Sequence, residues 1–197
     1  MKYIKTLLLK ILVLIFILSL SNCASFPKNK INRTFLNTQN IKSLNGEFSI
    51  VAKEADSVSK KHWVYNNFFK EVNRDRLKDR LKDDLILSPL KTYSFRIGIL
   101  SEKSIKISFI ENNESIKELV CEYKLKNDGY LYLKNRNLKL VGIPYIMGRL
   151  DIKKMRITLD KKNNLITEVA EHNSGAGLLV MFLNWKNRNY TYSYMAL

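Results

Sequence analysis

Histidine is almost missing from this chain: His62 and His172 are the only two in 197 residues. A histidine-rich metal centre is thereby excluded, and the side chain best suited to proton transfer at neutral pH is scarce. Cysteine is equally rare. Cys23 and Cys121 are the full set, too few for a disulfide-stapled scaffold. With 7 glycines and 3 prolines, collagen-like and Pro/Gly-rich low-complexity chains are ruled out. Acids are outnumbered, 18 against 34 Lys and Arg, for a net charge of +16. No internal repeat occurs.

What remains is an ordinary globular composition, 46% hydrophobic and 26% charged. The basic excess is uneven. From Lys134 to Arg156 there are seven bases (Lys134, Arg136, Lys139, Arg149, Lys153, Lys154, Arg156) and one acid, Asp151. Such a face favours an anionic partner. A solvated surface in a Lys- and Asn-rich chain is the plainer alternative.

The N-terminus carries the sharpest signal. Met1-Lys2-Tyr3-Ile4-Lys5 is positively charged, and Ile11–Leu20 is an apolar run of ten residues. Secretory signals use about 7–15 apolar residues, whereas a membrane-spanning helix needs about 20. Leu20-Ser21-Asn22-Cys23 follows. This segment resembles the lipobox of bacterial lipoproteins, with Asn22 where the pattern carries Gly, Ala or Ser. The resemblance implies that residues 1–22 form a cleaved signal helix and that Cys23 is the lipidation site. Lipid chains anchor because each buried methylene contributes about 0.8 kcal/mol, and two or three chains hold firmly. The resemblance also implies export to the cell envelope. No Asp follows Cys23, which by analogy favours the outer membrane over the inner. Residues 23–43 read as the lipidated cysteine and a polar tether, and 44–197 as a single antiparallel β domain.

Within that domain the hydrophobic pattern is largely period two. Tyr93, Phe95, Ile97 and Ile99 alternate with Ser94, Arg96 and Gly98; Ile105, Ile107 and Phe109 alternate with Lys106 and Ser108. Leu119, Cys121, Tyr123 and Leu125 repeat the pattern, as do Met155, Ile157 and Leu159. Each run predicts a strand with one buried face. The spacing predicts about eight strands: 46–52, 92–100, 103–111, 115–126, 129–141 with a break near 134–137, 152–160, 164–172 and 186–194. Ser101-Glu102, Asn112-Asn113, Asn127-Asp128-Gly129 and Asn163-Asn164 predict tight hairpins, since Asn, Asp and Gly tolerate left-handed backbone. Residues 52–61, Gly142-Ile143-Pro144 and Ser174–Gly177 read as loops. Leu77, Leu81 and Leu85 at a spacing of four predict one short amphipathic helix, stopped at Ser88-Pro89. The expected fold is mainly β, an antiparallel meander closing into a barrel or half-barrel. Leu44-Asn45-Gly46-Glu47-Phe48, the Trp63–Phe69 aromatic cluster and the hairpins resemble lipocalin-like (calycin) β-barrel lipoproteins. The Gly-x-Trp signature of true lipocalins is absent after Gly46.

Chemistry-bearing constellations are few. Glu168, Glu171 and His172 form the one local cluster of metal-ligand types, but on a strand Glu171 points away from the other two. No metal or cofactor is expected. Ser174-Gly175-Ala176-Gly177 lacks the Lys-Ser/Thr of a phosphate loop. Cys121 shares a face with Leu119, Tyr123 and Leu125, as a buried small hydrophobe would. No catalytic residue is assigned and no enzymatic activity is expected. An export signal argues against nucleic acid. Two functions stay open. One is a lipid-anchored barrel binding a hydrophobic or amphipathic ligand among inward-facing tyrosines and phenylalanines. The other is an interaction lipoprotein docking an envelope protein through the 134–156 bases or the Trp63–Phe69 cluster.

Overall fold

The computed structural model describes Phe26 and residues 33–56, 67–72, 87–134, 138–143, 147–177 and 181–197. Cys23 and the segment before it, Trp63, Tyr65 and the stretch Leu77–Leu85 lie outside the described residues.

Ten strands form one antiparallel sheet. They are β1 (Gly46–Ser49), β2 (Glu54–Asp56), β3 (Tyr93–Ile99), β4 (Ser104–Glu111), β5 (Glu114–Leu125) and β6 (Leu131–Leu133). The chain continues through β7 (Leu138–Ile143), β8 (Met147–Leu159), β9 (Leu165–Gly177) and β10 (Met181–Tyr194). The order is β1-β3-β4-β5-β6-β8-β9-β10-β2, with β7 beside β8. β6 and β7 pair with successive stretches of β8, at Met155–Ile157 and Met147–Ile152. They therefore share one position, the broken strand anticipated at 129–141. β1 and β2 likewise share a position. Eight positions result, in a meander curled into a half-barrel.

The first strand draws the two ends of the curl together. β1 pairs with β3 on one side. On the other side Phe48 bridges Ala196, the Ser49 amide donates to the Met195 carbonyl at 2.8 Å, and the Leu197 amide donates to the Glu47 carbonyl at 2.9 Å. An otherwise open edge is thus covered. Left-handed backbone falls where the turns demand it, at Asn112, Asn113, Asn163 and Gly129.

The inward face carries the apolar half of each alternation. Phe95, Ile97, Ile105, Ile107, Phe109, Leu131, Ile157 and Leu165 are all buried. Cys121 joins them as a free thiol, and burial pushes its pKa up. A short helix, α1 (Phe68–Val72), lies among these side chains. Phe68 stacks on Phe95 with ring centroids 3.9 Å apart and meets Tyr194 edge-on at 5.2 Å. Phe69 meets Phe109 edge-on at 4.9 Å. The helix is tied to the seam at its start, where the Phe68 amide donates to the Ile50 carbonyl.

Four sequence expectations change. Ser174–Gly177, expected as a loop, continues β9, with Gly175 paired to Arg149 and Asn184, and Gly177 to Met147 and Met181. Gly142 and Ile143 extend β7 in the same way. Pairing along the ladder satisfies the backbone and overrides weak local propensity. Glu54–Asp56, within the expected 52–61 loop, pairs with β10 as β2. Finally, residues 33–43, read as tether, pack on the barrel. Leu36 is buried, and the Thr34 amide donates to the Leu159 carbonyl at 2.7 Å. Phe35, Leu36 and Ile41 within a polar stretch were the available clue.

Candidate functional site

Met155–Leu159 of β8 and Leu165–His172 of β9 are buried on both faces, which sets these stretches apart from the one-sided strands β3 to β5. The inward row of β8 and β9 contains Met155, Ile157, Leu165 and Val169, together with Lys153, Thr167 and Glu171. Their outward row contains Arg156, Thr158, Glu168, Ala170 and His172, all covered. Alternation therefore places adjacent charges of one strand in two separate buried environments.

Inside, Lys153 reaches α1. Its Nζ lies 2.8 Å from Glu71 Oε2 and 2.8 Å from the Glu71 carbonyl oxygen. Both side chains are buried, at 7% and 2% exposure. Glu171 stands directly across from Lys153 on β9, and Arg188 stands across from Glu171 on β10. Two hydroxyls nearby, Thr167 Oγ1 and Tyr194 OH, are buried without a hydrogen-bond partner among the described residues. Burial, with Glu71 and Tyr192 adding to it, holds the Tyr194 phenol well above its ordinary pKa.

Outside, a polar and aromatic knot lies beneath the N-terminal strap. Arg156 Nε donates to Glu168 Oε2 at 2.8 Å and its Nη2 donates to the same oxygen at 2.5 Å. Its Nη1 donates to Tyr132 OH at 3.0 Å and to Asp128 Oδ2 at 3.3 Å. The Tyr130 hydroxyl donates to Glu168 Oε1. The Tyr130 ring is sandwiched by two guanidiniums, with Arg33 at 3.8 Å and Arg156 at 3.9 Å from its centroid. Burial first, and the hydrogen bond to Glu168 second, push the Tyr130 phenol far above its ordinary pKa. Phe26 completes the cover. Arg156 sits 4.3 Å over its ring, and Tyr132 meets it edge-on at 5.5 Å. Such pairs add cation–π and quadrupole attraction to simple burial.

A third feature is a groove of about 300 Å³ on the outward face of β3, β4 and β5. Arg96, Gly98, Lys106, Ser108 and Glu118 line it, with Leu100 and Ile110 at its apolar margin. Its charges are matched. Arg96 pairs with Glu47 at 2.7 Å, and Lys106 pairs with Glu118 at 2.7 Å. Leu100 (56%), Ile116 (43%) and Val120 (62%) leave apolar surface on this face or its rim open to solvent.

The residues singled out from sequence are dispersed by this arrangement. Glu168 and His172 do share the outward face of β9 while Glu171 faces inward. Glu168 is committed to Arg156 and Tyr130, and His172 Nδ1 lies 2.7 Å from Asn187 Oδ1. Of the basic run, Lys153 and Arg156 are buried in ion pairs on opposite faces, so they do not form one docking surface. Phe68 and Phe69, from the aromatic cluster offered as a docking site, are core residues. The Arg156–Glu168–Tyr130 knot had no signal in sequence, where Arg156 reads as the solvated half of an alternation. Its partners come from four separated segments. No protein-family model, curated protein or solved structure matches the chain.

Proposed function

We propose that the chain is an envelope lipoprotein, anchored through Cys23 and exported to the outer membrane, whose barrel is a docking module for a protein partner. The supporting observation is the packing of α1 inside the sheet among the described residues. α1 occupies the space a ligand would need, with Phe68 stacked on Phe95 and Lys153 paired to Glu71. Ligand pockets in proteins are typically about 300–1,000 Å³ of mostly apolar concavity. A concavity of about 300 Å³ lies on the outward face, in the groove of β3–β5. Its mixed margin of matched charges and exposed aliphatic side chains has the composition of a protein contact.

A photoreactive side chain placed at Ser108 in the full chain, in living cells, is expected to give one adduct of defined mass. The same adduct should disappear on Lys106→Glu, which reverses a charge in the groove. Absence of an adduct at Ser108, with a strong one elsewhere on the barrel, overturns the assignment of the groove.

A second reading, a barrel binding an amphipathic ligand, is favoured by the unpartnered Thr167 and Tyr194 hydroxyls inside the sheet. Buried polar groups without partners are rare, and a ligand oxygen or an internal water would satisfy both. Solvent extraction of the purified full chain discriminates the two readings. A stoichiometric lipophile beyond the anchor itself supports the ligand reading, and its absence supports docking.

A further inference from the structure

Phe26, close in sequence to Cys23, is seated on the barrel. Phe26 is three residues beyond Cys23. Three extended residues span at most about 11 Å. Phe26 itself is fixed on the outward face of β6 and β8, under Arg156 and against Tyr132. A lipid carried by Cys23 is therefore confined close to that face.

The surface around Phe26 is basic. Lys124, Lys126 and Lys134 are exposed there, and Lys154 is half-buried beside them. Cross-strand register sets Lys124, Tyr132 and Arg156 in one row. The Lys126 Nζ lies 3.9 Å over the Tyr132 ring. Lys134 pairs with Glu122 at 3.3 Å, whereas Lys124 and Lys126 have no carboxylate partner among the described residues. The groove face on β3 and β4 differs, because its lining cations are matched by carboxylates.

We infer that the β5–β6–β8 face, with Phe26 as its pin, lies against anionic phospholipid headgroups and turns the β3–β4 groove away from the bilayer. The inference rests on the anchoring at Cys23 proposed above. Aromatic rings and lysines are suited to this interface, since the ring sits at headgroup depth and the ammonium reaches phosphate. Each lysine near an anionic leaflet strengthens attachment roughly fivefold, and the attraction fades beyond a Debye length. A tethered domain needs little of this energy to prefer one face.

The test uses the full lipidated chain in vesicles of equal parts phosphatidylcholine and phosphatidylglycerol. Nitroxide labels are placed at Lys134→Cys and, across the barrel on the closing segment, at Lys53→Cys. Cys121 is buried and stays out of reach of the label. Broadening by a nickel-chelating lipid reports proximity to the bilayer. It is expected to be several-fold greater at position 134 than at 53. Phe26→Ala, or Lys124→Gln/Lys126→Gln/Lys154→Gln, should bring the ratio towards one while the protein still floats with the vesicles. Pure phosphatidylcholine should do the same. Equal broadening at both positions in anionic vesicles, with flotation intact, overturns the orientation but leaves the anchor standing. A ratio unmoved by all three changes overturns the roles of Phe26 and the lysines. Failure to float at all overturns the anchor and the orientation together.

Discussion

Replacing Lys153 with methionine tests the buried arrangement directly, because sequence and structure disagree on what it should do. A lysine inside a basic run reads as solvated, and its loss would change stability by less than about 0.5 kcal/mol. The structure places its Nζ 2.8 Å from Glu71 Oε2, with both side chains almost completely buried. At an effective dielectric of about 20, charges at that separation attract by about 6 kcal/mol before desolvation is subtracted. Much of that gross attraction is offset by dehydrating both ions. Removing one partner is still costly, since the other stays buried without its countercharge, and the usual loss is about 3–5 kcal/mol. For a chain of this size the midpoint should fall by about 6–20 °C. Thermal unfolding of the full chain in detergent, followed by circular dichroism, measures it, with exposed Lys162→Met as control. The double variant Lys153→Met/Glu71→Gln should regain much of the loss, because Glu71 is then no longer a charge that has lost Lys153. The deficit of the single variant should also shrink at acid pH, where the stranded carboxylate takes up a proton. A Lys153→Met midpoint within the error of Lys162→Met refutes the buried pair.

Two further outcomes follow from the strap and its knot. Gly129 has φ of +75°, and a Cβ there would lie 2.5 Å from the Phe35 ring; Gly129→Ala should cost at least about 1–2 kcal/mol, read by denaturant titration, and an unchanged midpoint refutes the close approach. Burial raises the phenol pKa of Tyr130, Tyr132 and Tyr194 above the ordinary 10.0. A raised folded value means that their contribution is complete below about pH 10 and is lost as the pH climbs towards the folded values. Absorbance at the phenolate band should therefore show the buried Tyr130 and Tyr194 ionising only with unfolding, and smooth native-state titration of every tyrosine would contradict their burial.

The strands were legible because one-sided burial writes itself into the sequence as alternation. β3, β4 and the C-terminal half of β5 read cleanly for this reason, and their Asn-containing turns fell where left-handed backbone occurs. β9 was truncated at residue 172 because Ser174–Gly177 has the composition of a loop. Its strand character comes from ladders on both sides, which no local window contains. The burial of Cys121 followed from its neighbours on the strand. The Glu71–Lys153 pair could not be read in the same way, since its members are 82 residues apart. The 33–43 strap was hidden for a related reason, as its contacts with Gly129 and Leu159 depend on the finished barrel.

Counting charge along a sequence assumes that each charge reaches water, and β8 shows where the assumption fails. Where a strand is buried on both faces, as β8 is over Met155–Leu159, there is no solvated side to which a base can be assigned. Its cations persist only when each is matched, and the partners must come from whatever covers that face. For Lys153 the cover is α1 inside the sheet. For Arg156 it is Glu168 on the neighbouring strand, beneath Phe26 and the strap. Two of the seven bases between Lys134 and Arg156 are therefore structural, joining the inner helix and the outer strap to opposite sides of one strand. Exposed lysines near Phe26 lie instead on β5, on the turn after it and at the end of β6. A charge count over the run misplaces these two cations, whereas the sheet register sets Lys124 beside Tyr132, the ring that Lys126 covers and Phe26 meets.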